Sequence, residues 1–121
     1  MSKTSTAPTY MFVFRNPEDM PNPTPAQMQQ SMQRWMDWIA TMKTKGQFLA
    51  GEPLEDPGKV LRGPGGKKIT DGPFAEAKEV VGGFMVIAAR DFAHAVEIAQ
   101  DCPVFAVGGT LEIRPVKSMA Q

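Results

Sequence analysis

The sequence predicts an α+β domain in which an antiparallel sheet carries two helices on one face. Three observations support this prediction. The elements follow in the order strand, helix, strand, small hairpin, strand, helix, strand; two of the strands are continuous apolar runs; and apolar residues recur every three or four positions in both helices. A chain of 121 residues has room for one domain with a single modest core.

The domain is predicted to extend over residues 10–117. Residues 1–9, rich in Ser and Thr, are expected to form a flexible N-terminal arm, and residues 118–121 a short C-terminal tail. The first strand is predicted at residues 10–15, an aromatic and β-branched run that does not alternate and should therefore be covered on both faces. Three prolines within residues 16–23 predict a loop after it.

The first helix has a sharply defined start. Thr24 is a typical N-cap, Pro25 suits the first helical position, and Gln27 completes a capping box. The helix is expected to end near residues 45–46. Its apolar positions form one broad stripe: Met28, Met32, Trp35, Met36, Ile39 and Met42. Trp38 lies off the centre of this stripe, so it either covers the flank of the core or marks a contact with another subunit.

A short second strand at residues 48–51 and a hairpin within residues 56–70 come next. The hairpin turn, Gly63-Pro64-Gly65-Gly66, is Gly-rich like a phosphate-binding loop. However, the lysines after it do not stand in the pattern GxxxxGK[ST], and the turn lacks the buried strand before it and the long helix after it. The sequence therefore favours an ordinary hairpin turn.

The remaining elements complete the order. Residues 83–89 predict a second continuous apolar strand, and Asp91 caps a helix whose apolar face includes Phe92 and ends at Cys102. Alternation at residues 111–114 predicts the last strand. The whole order is typical of a split βαβ, or ferredoxin-like, arrangement with two helices on one face of the sheet.

Two helices cover only one face of such a sheet, although the strands at residues 10–15 and 83–89 are apolar on both. The other face must be covered, and a second copy of the sheet is the simplest cover. We therefore expect a homodimer that forms through the open sheet face.

Composition excludes several functional classes. Thirteen basic residues balance thirteen acidic ones, so binding to nucleic acid through overall positive charge is not expected. Cys102 is the single cysteine and His94 the single histidine, so a zinc site is not expected, and His94 is interpreted as an exposed or half-exposed helix residue. The carboxylates of Glu52, Asp71 and Glu76 offer only a weak alternative, a site for a hard cation, so no metal is predicted. No cofactor is predicted either. No long apolar segment predicts a membrane span, and a cytoplasmic location is expected.

The most distinctive stretch is Thr70-Asp71-Gly72-Pro73-Phe74, and it allows two interpretations of Asp71. Because Pro73 has no N–H, the Asp71 carboxylate could accept from the amide of residue 74 or 75 and cap a turn. Alternatively, Asp71 is an acid or base at the mouth of a pocket, where an apolar wall at Phe74 raises its pKa. Charged neighbours available to tune it are Glu52, Glu76 and Lys78.

Several motifs resemble the YCII-related proteins of the DGPF type. They are Gly51-Glu52-Pro53-Leu54, the ten residues 70–79, Gly82-Gly83-Phe84 and the segment 111–116, and together they lie within a similarity that extends from residue 10 to residue 116. The resemblance implies a bacterial protein with a ferredoxin-like protomer of the dimeric α+β barrel superfamily. Some of these relatives lie beside, or are fused to, sigma factors of the extracytoplasmic type.

The resemblance also implies an active site with a histidine near the start of the first helix and an aspartate after the second strand. Asp71 matches the aspartate. Gln27 stands at the histidine position, and glutamine can hydrogen-bond a ligand but cannot carry a proton at neutral pH.

Two functional hypotheses follow, and whether the protein is an enzyme stays open between them. In the first, a dimer binds or transforms a small organic molecule near Asp71, which acts as acid or base. The ligand-binding residues are then Gln27, Glu52, Phe74, Glu76 and Lys78. In the second, the protein is a regulatory or structural partner, for example in sigma-factor signalling, and the motif around Asp71 only shapes the fold.

Overall fold

A computed structural model describes residues 7–72 and 79–117. Within these ranges the chain forms six strands, two α-helices and two short 3-10 helices. In chain order they are β1 (Thr9–Pro17), α1 (Pro25–Thr44), β2 (Phe48–Pro53), β3 (Gly58–Arg62), a 3-10 turn (Pro64–Gly66), β4 (Lys68–Gly72), β5 (Glu79–Ala88), α2 (Phe92–Ala99), a second 3-10 helix (Pro103–Val107) and β6 (Thr110–Pro115).

Four of the strands form one antiparallel sheet in the order β2-β5-β1-β6. The other two, β3 and β4, pair with each other as a separate hairpin. The turn between them contains three glycines with positive φ, Gly63, Gly65 and Gly66, a conformation that other residues rarely adopt. The predicted α+β class and the hairpin are confirmed, and the arrangement is consistent with a ferredoxin-like fold.

Element boundaries differ from prediction where strand pairing extends an element. β1 continues through Asn16 to Pro17, and β5 begins at Glu79, because these ends pair with each other beyond a bulge between Phe14 and Arg15. By contrast, α2 ends at Ala99, so Cys102 is not a residue of that helix. It precedes the second 3-10 helix, where its sulfur accepts from the Val104 N–H at 3.4 Å.

The core lies between the sheet and the two helices. Tyr10, Phe12 and Phe14 alternate along β1 with partly exposed neighbours and point toward the helices. Trp38 is buried among them: its ring stacks on Phe12 with centroids 6.3 Å apart, and its indole N–H donates to the carbonyl of Ile98 at 3.3 Å. Trp38 is therefore a core residue, the first of the two interpretations of its position.

The opposite face of the sheet is apolar at its centre and charged at one edge. Val13 and Val86 are partly exposed there, and Phe84 lies between β1 and β2 on the same face. On the β6 side, Arg15 forms an ion pair with Glu112 at 2.7 Å. No described helix packs on this face.

Candidate functional site

A cleft of about 920 Å³ lies between residues 27–39 of α1 and the helix-facing side of the sheet. Its floor includes Phe14 and Met85 of the two central strands, and its roof includes Trp35 and Ile39 of α1. The loop of residues 20–23 borders its mouth, and Val104 and Val107 of the second 3-10 helix line its far side. The cleft is therefore mostly apolar in lining.

Two glycines keep the floor of the cleft bare. Gly51 pairs with Met85, and Gly83 pairs with Phe14 and Pro53, so both glycines occupy helix-facing positions. A Cβ atom at Gly51 would lie 2.9 Å from the carbonyl oxygen of Phe84, and one at Gly83 would lie 3.0 Å from that of Glu52. A side chain at Gly51 would clash with the backbone of β5, and one at Gly83 would require the backbone of β2 to shift by a few tenths of an ångström. Nothing projects from either glycine into the cleft.

The roof of the cleft stands away from the core. Met28, Met32 and Met36 were predicted on the buried stripe of the helix, but their side chains are 56%, 63% and 59% exposed. The prediction was wrong here because Met28 and Met32 line the open cleft and do not pack closely on the sheet, while Met36 does not line the cleft at all. Only the second half of α1, at Trp38 and Met42, reaches the sheet closely enough to be buried.

Local hydrogen bonds hold the start of α1 in place. The Thr24 backbone N–H donates to the Gln27 side-chain oxygen at 2.9 Å, and the Gln27 backbone N–H donates to the Thr24 hydroxyl oxygen at 3.1 Å. The predicted capping box is confirmed. It uses the oxygen of the Gln27 carboxamide and leaves the NH2 group to donate elsewhere.

Aromatic rings form the inner end of the cleft. Trp35 meets Phe14 edge to face with centroids 5.0 Å apart, and it meets Trp38 in the same manner at 5.7 Å. Trp38 is in turn part of the buried core, whereas Trp35 is only half-buried and lines the cleft. A flat or aliphatic ligand would find a rigid aromatic surface here.

Two of the residues predicted for a site line the cleft. Gln27 lies at its α1 side and Glu52 at its β2 edge. Asp71 lies instead on β4 of the separate hairpin, where its exposed carboxylate forms an ion pair with Lys59 at 2.6 Å, and it is not among the described residues that line the cleft. The structure therefore groups Gln27 with Glu52 but not with Asp71.

The other three predicted ligand-binding residues, Phe74, Glu76 and Lys78, lie outside the described residues. So do the amides of residues 74 and 75 that Asp71 was predicted to cap. The roles assigned to these residues and to Asp71 stay predictions.

Sequence reasoning missed the residues that shape the cleft most. Phe14 and Trp35 were assigned to a strand and a helix stripe, and nothing in their spacing distinguishes a cleft wall from a packed core. Gly83 did offer a signal, because a glycine inside an apolar strand indicates a bulge or a close backbone approach.

The reactive side chains outside the cleft have structural partners. His94 is half-buried, and its Nδ1 accepts from the Arg90 backbone N–H at 3.0 Å. Cys102 is buried, and burial raises the pKa of its thiol to about 12, although the N–H of Val104 opposes part of this rise. Over residues 7–72 and 79–117, no three His, Cys, Asp or Glu side chains lie together as a metal site would need, and no helix is both long and apolar enough to cross a bilayer.

Comparison with known families extends over the whole domain. A family model for the YCII-related domain matches residues 10–120, a range that includes every residue named above as lining the cleft. Comparison with curated proteins gives no match.

Proposed function

The chain belongs to the YCII-related domain family, and from that premise we propose that it binds a small organic molecule in the cleft beneath α1. The observation that supports this proposal is the cleft itself, about 920 Å³ of space over a floor that two glycines leave bare. Ligand sites are typically apolar hollows of roughly 300–1,000 Å³ with a few polar groups that orient the ligand.

Apolar and polar lining residues make different contacts with a ligand. Met28, Met32 and Trp35 offer apolar surface to the body of a ligand, and burial of that surface supplies the affinity. Gln27 offers an N–H donor near the mouth. Glu52 lines the β2 edge of the cleft, but its pairing with Phe84 directs the carboxylate toward the open face of the sheet. This arrangement retains the predicted role of Gln27 in orienting a ligand, and the role of Glu52 stays a prediction.

Filling the cleft tests the proposal. Ser31 lines the roof, so Ser31→Leu adds bulk inside it, whereas Gln29→Leu adds the same group on a part of α1 that does not line it. We expect hits from a metabolite library, found by ligand-observed NMR, to bind Ser31→Leu about tenfold more weakly by calorimetry, since the new side chain occupies ligand space. Gln29→Leu should bind as the wild type does.

Absence of any hit, or hits that bind both variants equally, would contradict the proposal. Asp71→Asn belongs in the same series. If it weakens a hit as strongly as Ser31→Leu does, the ligand site extends to the hairpin, as the catalytic hypothesis for Asp71 requires.

A second candidate function is that of a regulatory or structural partner protein, for example in sigma-factor signalling. The ion pair between Asp71 and Lys59 favours it, because it gives the carboxylate of the central motif a structural partner across the hairpin. In that case Asp71→Asn alters the stability of the hairpin and leaves ligand binding unchanged.

We also propose that the protein is a homodimer that forms through the open sheet face. The apolar centre of this face, at Val13 and Val86, is suited to burial against an identical surface. Its edges are complementary in charge: Arg114 lies exposed on β6, and Glu52 lies exposed on β2 at the other edge of the sheet. A two-fold axis parallel to the strands would place each β2 edge opposite the partner's β6 edge.

A further inference from the structure

The part of α1 that roofs the cleft presents two parallel rows of side chains. One row is apolar and consists of Met28, Met32, Trp35 and Ile39. The other is polar and consists of Gln27, Gln30, Ser31 and Arg34. Each residue lies three or four positions from another member of its row, so each row occupies one side of the helix surface. The roof is thus divided lengthwise into an apolar strip and a polar strip with a cation at its inner end.

We infer that the ligand of this cleft is an amphipathic anion, an apolar body that carries a carboxylate or a similar anionic group. The inference rests on the proposed function, because it names the class of ligand for the same cleft. The apolar row contacts the body, and the guanidinium of Arg34 binds the anionic group. A guanidinium can donate two parallel N–H bonds to one carboxylate, which fixes the orientation of the ligand as well as holding it.

Arg34 is free to take this role. Arg15 lies 2.7 Å and Arg114 lies 3.4 Å from carboxylate oxygens of Glu112, and Arg90 lies 3.4 Å from the ring of His94. Arg34, by contrast, has no ion pair or side-chain hydrogen bond to any residue within 7–72 or 79–117. It is also the one cation among the described residues that line the cleft.

The position of the other charged lining residue gives the ligand a direction. Glu52 belongs to the edge strand β2 and pairs with Phe84, whose side chain lies on the face of the sheet opposite the helices, so the Glu52 carboxylate is directed away from the interior of the cleft. Among the charged residues described in the lining, Arg34 on α1 is therefore the one that can attract a carboxylate on the ligand. The anionic group should therefore lie against α1.

Three probes with one aromatic body and different charges test the inference: 2-naphthoate, 2-naphthamide and 2-naphthylmethylammonium. We expect calorimetry with the wild-type protein to give about fivefold tighter binding for naphthoate than for the neutral amide, and weakest binding for the ammonium ion, because the cleft is open and solvent screens the charge. Equal affinity for all three probes would overturn the inference but leave the proposed function standing. Failure of all three to bind at millimolar concentration would overturn both.

Variants of Arg34 and Lys68 test which residue causes the preference for naphthoate. Arg34→Gln should remove the preference for naphthoate while leaving naphthamide binding unchanged, and Arg34→Lys should keep part of it because the charge remains. Lys68→Gln removes a cation from the hairpin, away from the cleft, and should leave the preference intact. If Lys68→Gln lowers the preference as much as Arg34→Gln does, net charge explains it and the role of Arg34 is refuted.

Discussion

At the scale of single residues, burial decides which reactive groups can react. Cys102 is the clearest case, because its sulfur lies in the core and burial raises the pKa of the thiol from 9.0 to about 12. The thiolate is the reactive form, so the folded protein keeps this cysteine inert at neutral pH. Glu112 shows the opposite effect: the hydrogen bond from Arg15 lowers the pKa of its carboxyl group below the usual value.

We predict that iodoacetamide at about pH 8 alkylates Cys102 at least a hundredfold more slowly in the folded protein than in urea, as followed by mass spectrometry. A second consequence concerns stability. Between pH 9.0 and about 12 the unfolded chain loses a thiol proton that the folded chain keeps, so the free energy of unfolding should fall as pH rises through this range. Equal alkylation rates in the two states would contradict the first expectation, and Cys102→Ala, which lacks the thiol, should lose this alkaline component.

At the scale of elements, α1 has two halves with different duties. Its second half packs Trp38 and Met42 into the core, while its first half roofs the cleft with methionines that have little to pack against. Methionine suits such a surface because its side chain is flexible and polarizable and adapts to whatever it contacts.

Oxidation by dilute hydrogen peroxide should distinguish the exposed methionines of α1 from the buried ones. We expect peptide mass spectrometry to show Met28, Met32 and Met36 oxidised well before Met42 and Met85, which are 1% and 3% exposed. A ligand in the cleft should protect Met28 and Met32, which line it, but not Met36, which does not. Protection of all three methionines, or of none, would contradict the placement of the ligand beneath α1.

The same helix shows how far the sequence could predict this molecule. Thr24, Pro25 and Gln27 fixed the start of α1 because capping depends on local hydrogen bonds among neighbouring residues. The apolar spacing predicted a helix but not which way it faces the sheet, so Met28 was placed on the same apolar stripe as Met42 and Trp38 was left between two interpretations. That rotation depends on packing against Phe12 and Ile98, which are distant in sequence.

The candidate site was less predictable than the fold for a related reason. Gln27 and Glu52 were chosen from motifs, and both do line the cleft. The bare floor, however, results from Gly51 on β2 and Gly83 on β5 both facing the helices, and which face a residue occupies depends on the register of the folded sheet.

At the scale of the whole molecule, the two faces of the sheet differ in what lies against them. One face lies under the helices and forms the floor of the cleft, and the other offers Val13, Phe84 and Val86 to solvent in the isolated chain. An apolar sheet face of this kind is typical of an interface between copies.

We predict that sedimentation at micromolar concentration gives twice the chain mass of 13.2 kDa, and that Val86→Lys gives the monomer, because it places a charge at the centre of the open face. Met36→Lys places the same charge on an exposed surface of α1 and should leave the dimer intact. A wild-type protein that sediments as a monomer would refute the proposed dimer.

The capping box at the start of α1 has a consequence for how any ligand would be recognised. Because Thr24 and Gln27 bond to each other, the first turn of the helix that roofs the cleft is held by hydrogen bonds within the chain, whether or not the cleft is filled. A guest entering such a site does not have to order the chain, and the entropy of ordering is one of the larger costs of association. The entrance of the site is in this sense preorganised. The free energy that a ligand gains from its contacts there contributes to affinity and is not offset by the cost of ordering that turn of the chain.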